Sequence, residues 1–168
     1  MKIELREISL QDEKEFFDMI KEIGPGENGF ENHDYDMEYS KWPNYLREKS
    51  NESKGIDLKP GYVSQTTYWL LIDDKPVGYS KLRHDLTEKL MHQGGNLGYI
   101  IKPTERGKKY GNIILEETIK KAKELGIKEL LLTCNQDNGA SRKIIENNGG
   151  KFHDISPETQ KCRYWIKL

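Results

Sequence analysis

A chain of 168 residues has the length of one ordinary domain, enough to enclose a single hydrophobic core and too short for two. Charged residues make up 33%, yet the net charge is only −1, so nothing predicts the strongly basic face that a nucleic-acid partner requires. There is no signal-like apolar run after Met1-Lys2-Ile3-Glu4-Leu5-Arg6, no stretch of membrane-span length, and no zinc-type spacing around Cys134 and Cys162, so the expectation is a cytoplasmic chain without metal, disulfide or membrane partner.

In chain order, Ile3, Leu5 and Arg6 read as a first strand, and Ser9 with Asp12 resembles a capping box opening a helix. That helix carries Phe16, Phe17, Ile20 and Ile23 on one face and stops at Gly24. Between Gly24 and Gly61 the pattern loosens, with Tyr39, Trp42, Tyr45 and Leu46 marking a second helix that has Pro43 near its start. Val63 to Ile72 and Val77 to Arg83 read as a hairpin turning at Asp73-Asp74-Lys75-Pro76. A helical turn near Leu86 to Met91 precedes Gly94-Gly95 and a strand over Asn96 to Ile101. A helical stripe then runs through Gly111, Ile114, Leu115, Thr118, Ala122 and Leu125 to Gly126. The apolar run Leu130-Leu131-Leu132-Thr133 fits a strand buried on both faces. A helix over Gly139 to Asn147 and strands near Lys151 to Ile155 and Cys162 to Leu168 close the chain. The order is βαα-βββ-αβ-αββ, one α/β domain over residues 1–168.

The most informative stretch is Tyr99-Ile100-Ile101-Lys102-Pro103-Thr104-Glu105-Arg106-Gly107-Lys108-Lys109-Tyr110-Gly111. Here a strand passes through a short cationic, glycine-bearing loop into a helix. Free backbone N–H groups at a helix start, the helix dipole and glycines that permit close approach together make a diphosphate trap. By composition alone, a plain strand-to-helix connection with surface lysines reads the same way. Walker A is absent, and the one GxGxxG string, Gly24-Pro25-Gly26-Glu27-Asn28-Gly29, follows a helix and carries an acid, so it reads as a C-cap and loop.

Arg106-Gly107-Lys108-Lys109-Tyr110-Gly111, preceded by Ile101-Lys102-Pro103, resembles the [QR]xxGx[GA] signature of the GNAT superfamily of N-acetyltransferases. The resemblance extends over roughly Pro60 to Leu168, to bacterial acetyltransferases sharing Arg83-His84, Gly94-Gly95-Asn96-Leu97-Gly98-Tyr99 and Arg163-Tyr164-Trp165-Ile166. It implies a mixed, mainly antiparallel sheet of about six to seven strands flanked by about four helices and splayed at a cofactor cleft. Residues 1–60 would then form the acceptor side and 61–168 the acetyl-CoA-binding core. The resemblance further implies that the amides of Arg106, Gly107, Lys108, Lys109, Tyr110, Gly111 and Asn112 hold the pyrophosphate of acetyl-CoA. Tyr99, Ile100 and Ile101 would pair with the pantetheine arm, aided by Asn138 and Ser141; Asn138 equally suits a helix cap. Lys109 departs from the family's glycine, and Ile145 stands where a Tyr often protonates the departing sulfur. A homodimer is likewise a family implication.

The chemistry so implied is direct attack of a primary amine on the thioester. A lysine-like amine with pKa about 10.4 lies about 3.4 units above pH 7, a deprotonation cost of about 4.6 kcal/mol, so a base is the demanding requirement. His84 is the first candidate and Tyr99 the second, while a surface or hydrogen-bonded role for the one and a core position for the other are the more ordinary readings. Cys134 reads as a buried inert thiol. Glu27, Glu31, Asp34, Asp36 and Glu38 would suit a cationic small-molecule or peptide amine, or form a solvated loop. Ile145 also motivates the alternative of a CoA-binding sensor without turnover.

Overall fold

The computed structural model describes residues 1–168, and its element order is the one expected from the sequence. Strand β1 (Ile3–Glu7) leads to helix α1 (Lys14–Ile23) and helix α2 (Trp42–Ser53), followed by the hairpin β2 (Gln65–Ile72) and β3 (Lys75–Arg83). Short helix α3 (Glu88–His92) precedes β4 (Leu97–Ile101), α4 (Tyr110–Glu124) and β5 (Glu129–Cys134). Helix α5 (Gly139–Asn147) and strands β6 (Lys151–Ile155) and β7 (Cys162–Lys167) complete the chain.

Local chemistry sets these boundaries. Asp73 and Asp74 both take positive φ (50° and 66°), the pair of left-handed residues a two-residue hairpin needs. Gly24 (φ 71°) ends α1, and Pro43 sits in the first turn of α2, where its missing N–H is harmless. The capping box expected at Ser9 and Asp12 is corrected: the Asp12 carboxylate accepts the Ser9 N–H at 2.7 Å, but the Asp12 N–H donates to the Ser9 carbonyl, and α1 begins later, after Glu13. Asp12 is instead a buried anchor, accepting from Trp69 Nε1 (2.7 Å) and Arg6 Nη2 (2.6 Å).

Seven strands form two antiparallel sheets, ordered β1-β2-β3-β4 and β5-β7-β6, with no parallel pair in register. The division falls between β4 and β5, where the splay was expected. One apolar cluster, including Leu70, Leu82, Ile114, Leu115 and Leu132, lies on the α4 side. A second, including Phe16, Ile20, Trp42, Trp69, Tyr79 and Ile100, lies under α1 and α2. Strand β4 contributes to both, with Leu97 and Ile101 facing one cluster and Ile100 the other.

Candidate functional site

The sheets are clamped together just before β4, where Gly94 N–H also donates to Thr133 Oγ1 of β5 at 3.0 Å. Buried Asn96 donates its N–H to the Leu131 carbonyl and accepts the Leu131 N–H at its side-chain oxygen, both at 2.8 Å. Gly95 is obligatory beside this clamp, because a Cβ there would lie 2.2 Å from the Leu131 carbonyl oxygen. Beyond Asn96 no ladder joins β4 to β5, so the edge of β4 is free along a cavity of about 880 Å³. The cavity lies on both sides of β4, reaching α4 and α5 on one and β2, β3 and α2 on the other.

On the first side the loop after β4 presents unsatisfied backbone donors. The amides of Gly107, Lys108 and Lys109 make no hydrogen bond, and no side chain caps α4. Tyr110 and Gly111, the first residues of the helix, have no intrahelical acceptor for theirs. Gly107 (φ 79°) and Lys109 (φ 64°) both take left-handed conformations that curl the loop around these donors. That explains the family's glycine at position 109: lysine there carries about 1–2 kcal/mol of backbone strain. Arg106 is structural, its Nε donating to the Ile101 carbonyl (3.0 Å) and its Nη1 lying 2.6 Å from Glu27. A helix start with a run of free amides suits a bound anion.

Tyr99 projects from β4 into the angle between α4 and α5. A Cβ on Gly111 would sit 2.9 Å from Ile144 Cδ1 and 4.0 Å from the Tyr99 ring, so the glycine keeps this angle open. The Tyr99 hydroxyl is shielded from solvent and has no hydrogen-bond partner. Burial pushes its pKa up to about 12, opposed by the Ser141 side chain, which lies close by as a hydrogen-bonding neighbour but outside good hydrogen-bond geometry. Asn138 caps α5, its Oδ1 accepting the Ser141 N–H at 3.1 Å, which leaves its amide nitrogen without a protein partner beside the cavity. Cys134 lines the same wall, but burial raises its thiol to about 11, leaving little thiolate at neutral pH. Ile145 is buried among the core side chains.

The far side of β4 is built from side chains. Tyr79, Lys81 and Arg83 follow one another on the same face of β3, Tyr79 packing against Trp69 and Phe30. Lys81 Nζ donates to the Glu31 carbonyl at 2.7 Å and lies 4.7 Å from the Phe30 ring centre. Burial, with the charges of Lys49 and Arg83, lowers its pKa to about 8. Arg83 Nη1 donates to the carbonyls of Gly94 and Gly95, each at 3.2 Å. Among the acidic residues of the 27–38 loop, Glu27 is paired with Arg106 and Glu31 lies 2.9 Å from His33 Nε2. Asp36 and Glu38 are exposed and stand outside the cavity wall, and Asp34 lines it with no ion-pair partner.

The sequence model of the acetyltransferase (GNAT) domain matches residues 2–151. The chain belongs to the GNAT acetyltransferase family. No curated protein sequence matches it. Among solved structures, this GNAT chain is similar to the ribosomal L7/L12 alpha-N-protein acetyltransferase RimL in complex with coenzyme A. The TM-score is 0.74 at 12% identity, covering 100% of this chain and 95% of that one. It is also similar to Campylobacter jejuni N-acetyltransferase PseH in complex with acetyl coenzyme A (TM-score 0.66, 16% identity, 99% of each chain). A third is the PaiA N-acetyltransferase of Thermoplasma acidophilum with coenzyme A (TM-score 0.60, 18% identity, 100% of each chain). At these identities the likeness is one of fold.

Set against this GNAT frame, the structure brings Tyr99, Ile100, Ile101, Arg106, Gly107, Lys109, Tyr110, Gly111, Asn138 and Ser141 to one cavity wall. Three expected residues fall elsewhere. Lys108 turns its side chain to Glu105 (2.7 Å), although its amide stays free. The Asn112 N–H is taken by the Lys109 carbonyl at 3.2 Å. His84 is displaced by strand alternation: Arg83 faces the cavity, so His84 points to the other face, where Nε2 lies 2.7 Å from Thr66 Oγ1. Lys81 and Arg83 also line the cavity, and their i, i+2 spacing behind Tyr79 is the sequence signal that points to them. No helix is long and apolar enough to cross a membrane.

Proposed function

We propose that this GNAT protein transfers the acetyl group of acetyl-CoA to a primary amine by direct attack within a ternary complex. The observation that carries the reading is the run of unsatisfied amides from Gly107 to Gly111 in the same cavity as the orphan Tyr99 hydroxyl. The amides and Lys109 hold the pyrophosphate, the free edge of β4 and Asn138 hold the pantetheine arm, and the amine enters from the β3 and α2 side past Gly98. Asp34, which with Glu48 lines that side without an ion-pair partner, attracts the cationic form of the amine.

The amine loses a proton to solvent, its nitrogen attacks the thioester carbon, and the carbon–sulfur bond breaks to release CoA thiolate. The product nitrogen sheds its second proton, and the thiolate takes one up to become the free thiol. Tyr99 acts here as a donor. With a pKa of about 12 its phenolate is scarce at pH 7, so it makes a poor base. A buried hydroxyl without a partner costs about 1–3 kcal/mol, and a hydrogen bond to the developing charge of the reaction centre recovers that cost when it is most useful. This supports catalysis without a Tyr at position 145, since a thiol of pKa near 8.5 departs tolerably as thiolate once hydrogen-bonded. His84 has no part in this mechanism.

The deciding experiment measures thiol release from acetyl-CoA across primary amines of varied charge, with acetyl-CoA binding followed by calorimetry. Turnover with at least one amine, abolished in Gly111→Trp, supports the transferase. Tight binding without turnover on any amine favours the sensor reading that apolar Ile145 suggests.

A further inference from the structure

Lys81 and Arg83 form a pair of cations to which the fold gives no direct ion-pair partner. They stand two residues apart on one face of β3, both lining the acceptor side of the cavity. Neither has a carboxylate within ion-pairing distance: Lys81 is held by a backbone carbonyl and Arg83 by two, which leaves Arg83 Nε and Nη2 without protein partners. Of the nearby acids, Glu52 is engaged with Lys49 (3.2 Å) and Gln65 Nε2 (3.5 Å), Glu27 with Arg106 and Glu31 with His33 (2.9 Å), while Asp34 and Glu48 line the cavity without an ion-pair partner. Directly across the ladder from Lys81, the buried Thr67 hydroxyl also lacks a partner. Leaving charge in a desolvated wall without a counter-ion is costly, and the arrangement becomes favourable when a guest brings the missing anion.

We propose that Lys81 and Arg83 are an anion-binding subsite, and that the acceptor is a small amine bearing a carboxylate or phosphate close to its amino group. The inference rests on the transferase reading above and narrows its substrate class. Asp34 and the two cations lie on the same side of β4, so the cavity offers opposite charges to the two ends of a zwitterion. A polyamine or aminoglycoside, cationic throughout, would place charge against Lys81 and Arg83. The Arg83 guanidinium supplies directional donors, and Lys81 supplies a compact charge.

The test compares matched amines in the thiol-release assay: the common amino acids against their carboxamides, phosphoethanolamine against ethylamine, and spermidine as the polycation. At least one acid-bearing amine is expected to exceed its neutral partner about tenfold or more in kcat/KM, mainly through KM. Which of the carboxylate and phosphate arms responds identifies the anion. Lys81→Met and Arg83→Lys should each shrink the preference to about threefold or less while acetyl-CoA affinity stays within about twofold. Neutral partners or spermidine performing as well as the acids would overturn the subsite.

A second arm needs no turnover. The CoA-loaded protein is titrated calorimetrically with N-acetylated forms of the same amino acids and with their amides. Acids binding about tenfold more tightly than their amides support the subsite; equal binding throughout overturns it. The advantage should decline as pH rises through about 8, where Lys81 loses its proton in the company of Lys49, Arg83, Glu52 and Asp34. Selective binding of acids with every amine unreactive would keep the subsite and overturn the transferase reading.

Discussion

The two sides of β4 offer ligands different kinds of donor. Toward α4 and α5 the donors are backbone amides, from Gly107 to Gly111, and the free edge of a strand. Toward α2 and β3 the functional groups are side chains, Asp34, Lys81 and Arg83, held by a loop and a strand face. A site made of backbone needs only the right turn, so it tolerates Lys108 and Lys109 where another chain carries other residues. A site made of side chains changes with every substitution. On the proposed reading, the two halves of the molecule can therefore keep one cofactor while acceptors diverge.

The contrast is broken most severely by filling the backbone half. In Gly111→Trp the new side chain starts 2.9 Å from Ile144 and points into the gap beside Tyr99. Calorimetry should show acetyl-CoA affinity reduced by about three orders of magnitude, roughly 4 kcal/mol, with the circular dichroism spectrum retained. Unchanged affinity would mean that the cofactor lies elsewhere.

The acceptor half should break instead through its buried polar anchor. Asp12 accepts from Trp69, Arg6 and the Ser9 amide, and Trp42 Nε1 donates to its carbonyl. Asp12→Ala leaves the Trp69 N–H unanswered under α1 and should cost about 3 kcal/mol, seen as a lower midpoint in urea denaturation. A loss under about 1 kcal/mol would show that the α1 layer stands without this network.

Legibility followed the same division. The strand-loop-helix passage from Tyr99 to Gly111 is local, and its spacing encodes its geometry, so ten of the expected cofactor-side residues meet in one cavity. The helix at Gly139–Asn147 and the strand at Lys151–Ile155 were bounded by Asn138 and Gly149-Gly150 and were found where the sequence put them. His84 is turned toward Thr66 by strand alternation, which the chemistry of an imidazole does not reveal. The fate of the acidic run was not legible. Which carboxylates are consumed depends on Arg106 and His33 reaching them, contacts set by a loop with no periodic pattern. Likewise Asp12 looked like a cap, because its partner Trp69 is distant in sequence.

Tyr99→Phe separates a chemical from a structural role at the meeting point of the halves. Removing an unpartnered hydroxyl should leave stability unchanged or slightly raised, while kcat falls by about 10- to 100-fold and KM for acetyl-CoA moves little. The pH profile between about 6 and 9 should keep its shape, since a phenol of pKa about 12 does not titrate there. Loss of a basic limb in that range would restore Tyr99 as the base.

The smallest expected effect divides charge from geometry within the backbone half itself. Lys109 stands at φ 64°, where glycine carries no strain, so Lys109→Gly should raise stability by about 1 kcal/mol. The same change removes a cation from the phosphate loop and should weaken acetyl-CoA binding by only a few-fold, an effect that fades with added salt. If the amides do most of the work, affinity at high salt will match that of the parent chain. If Lys109 is the principal ligand, the deficit will be large at low salt and Lys109→Gly will resemble Gly111→Trp, although its helix start still offers every donor. The ratio of the two losses therefore measures how far the proposed cofactor site is made of backbone.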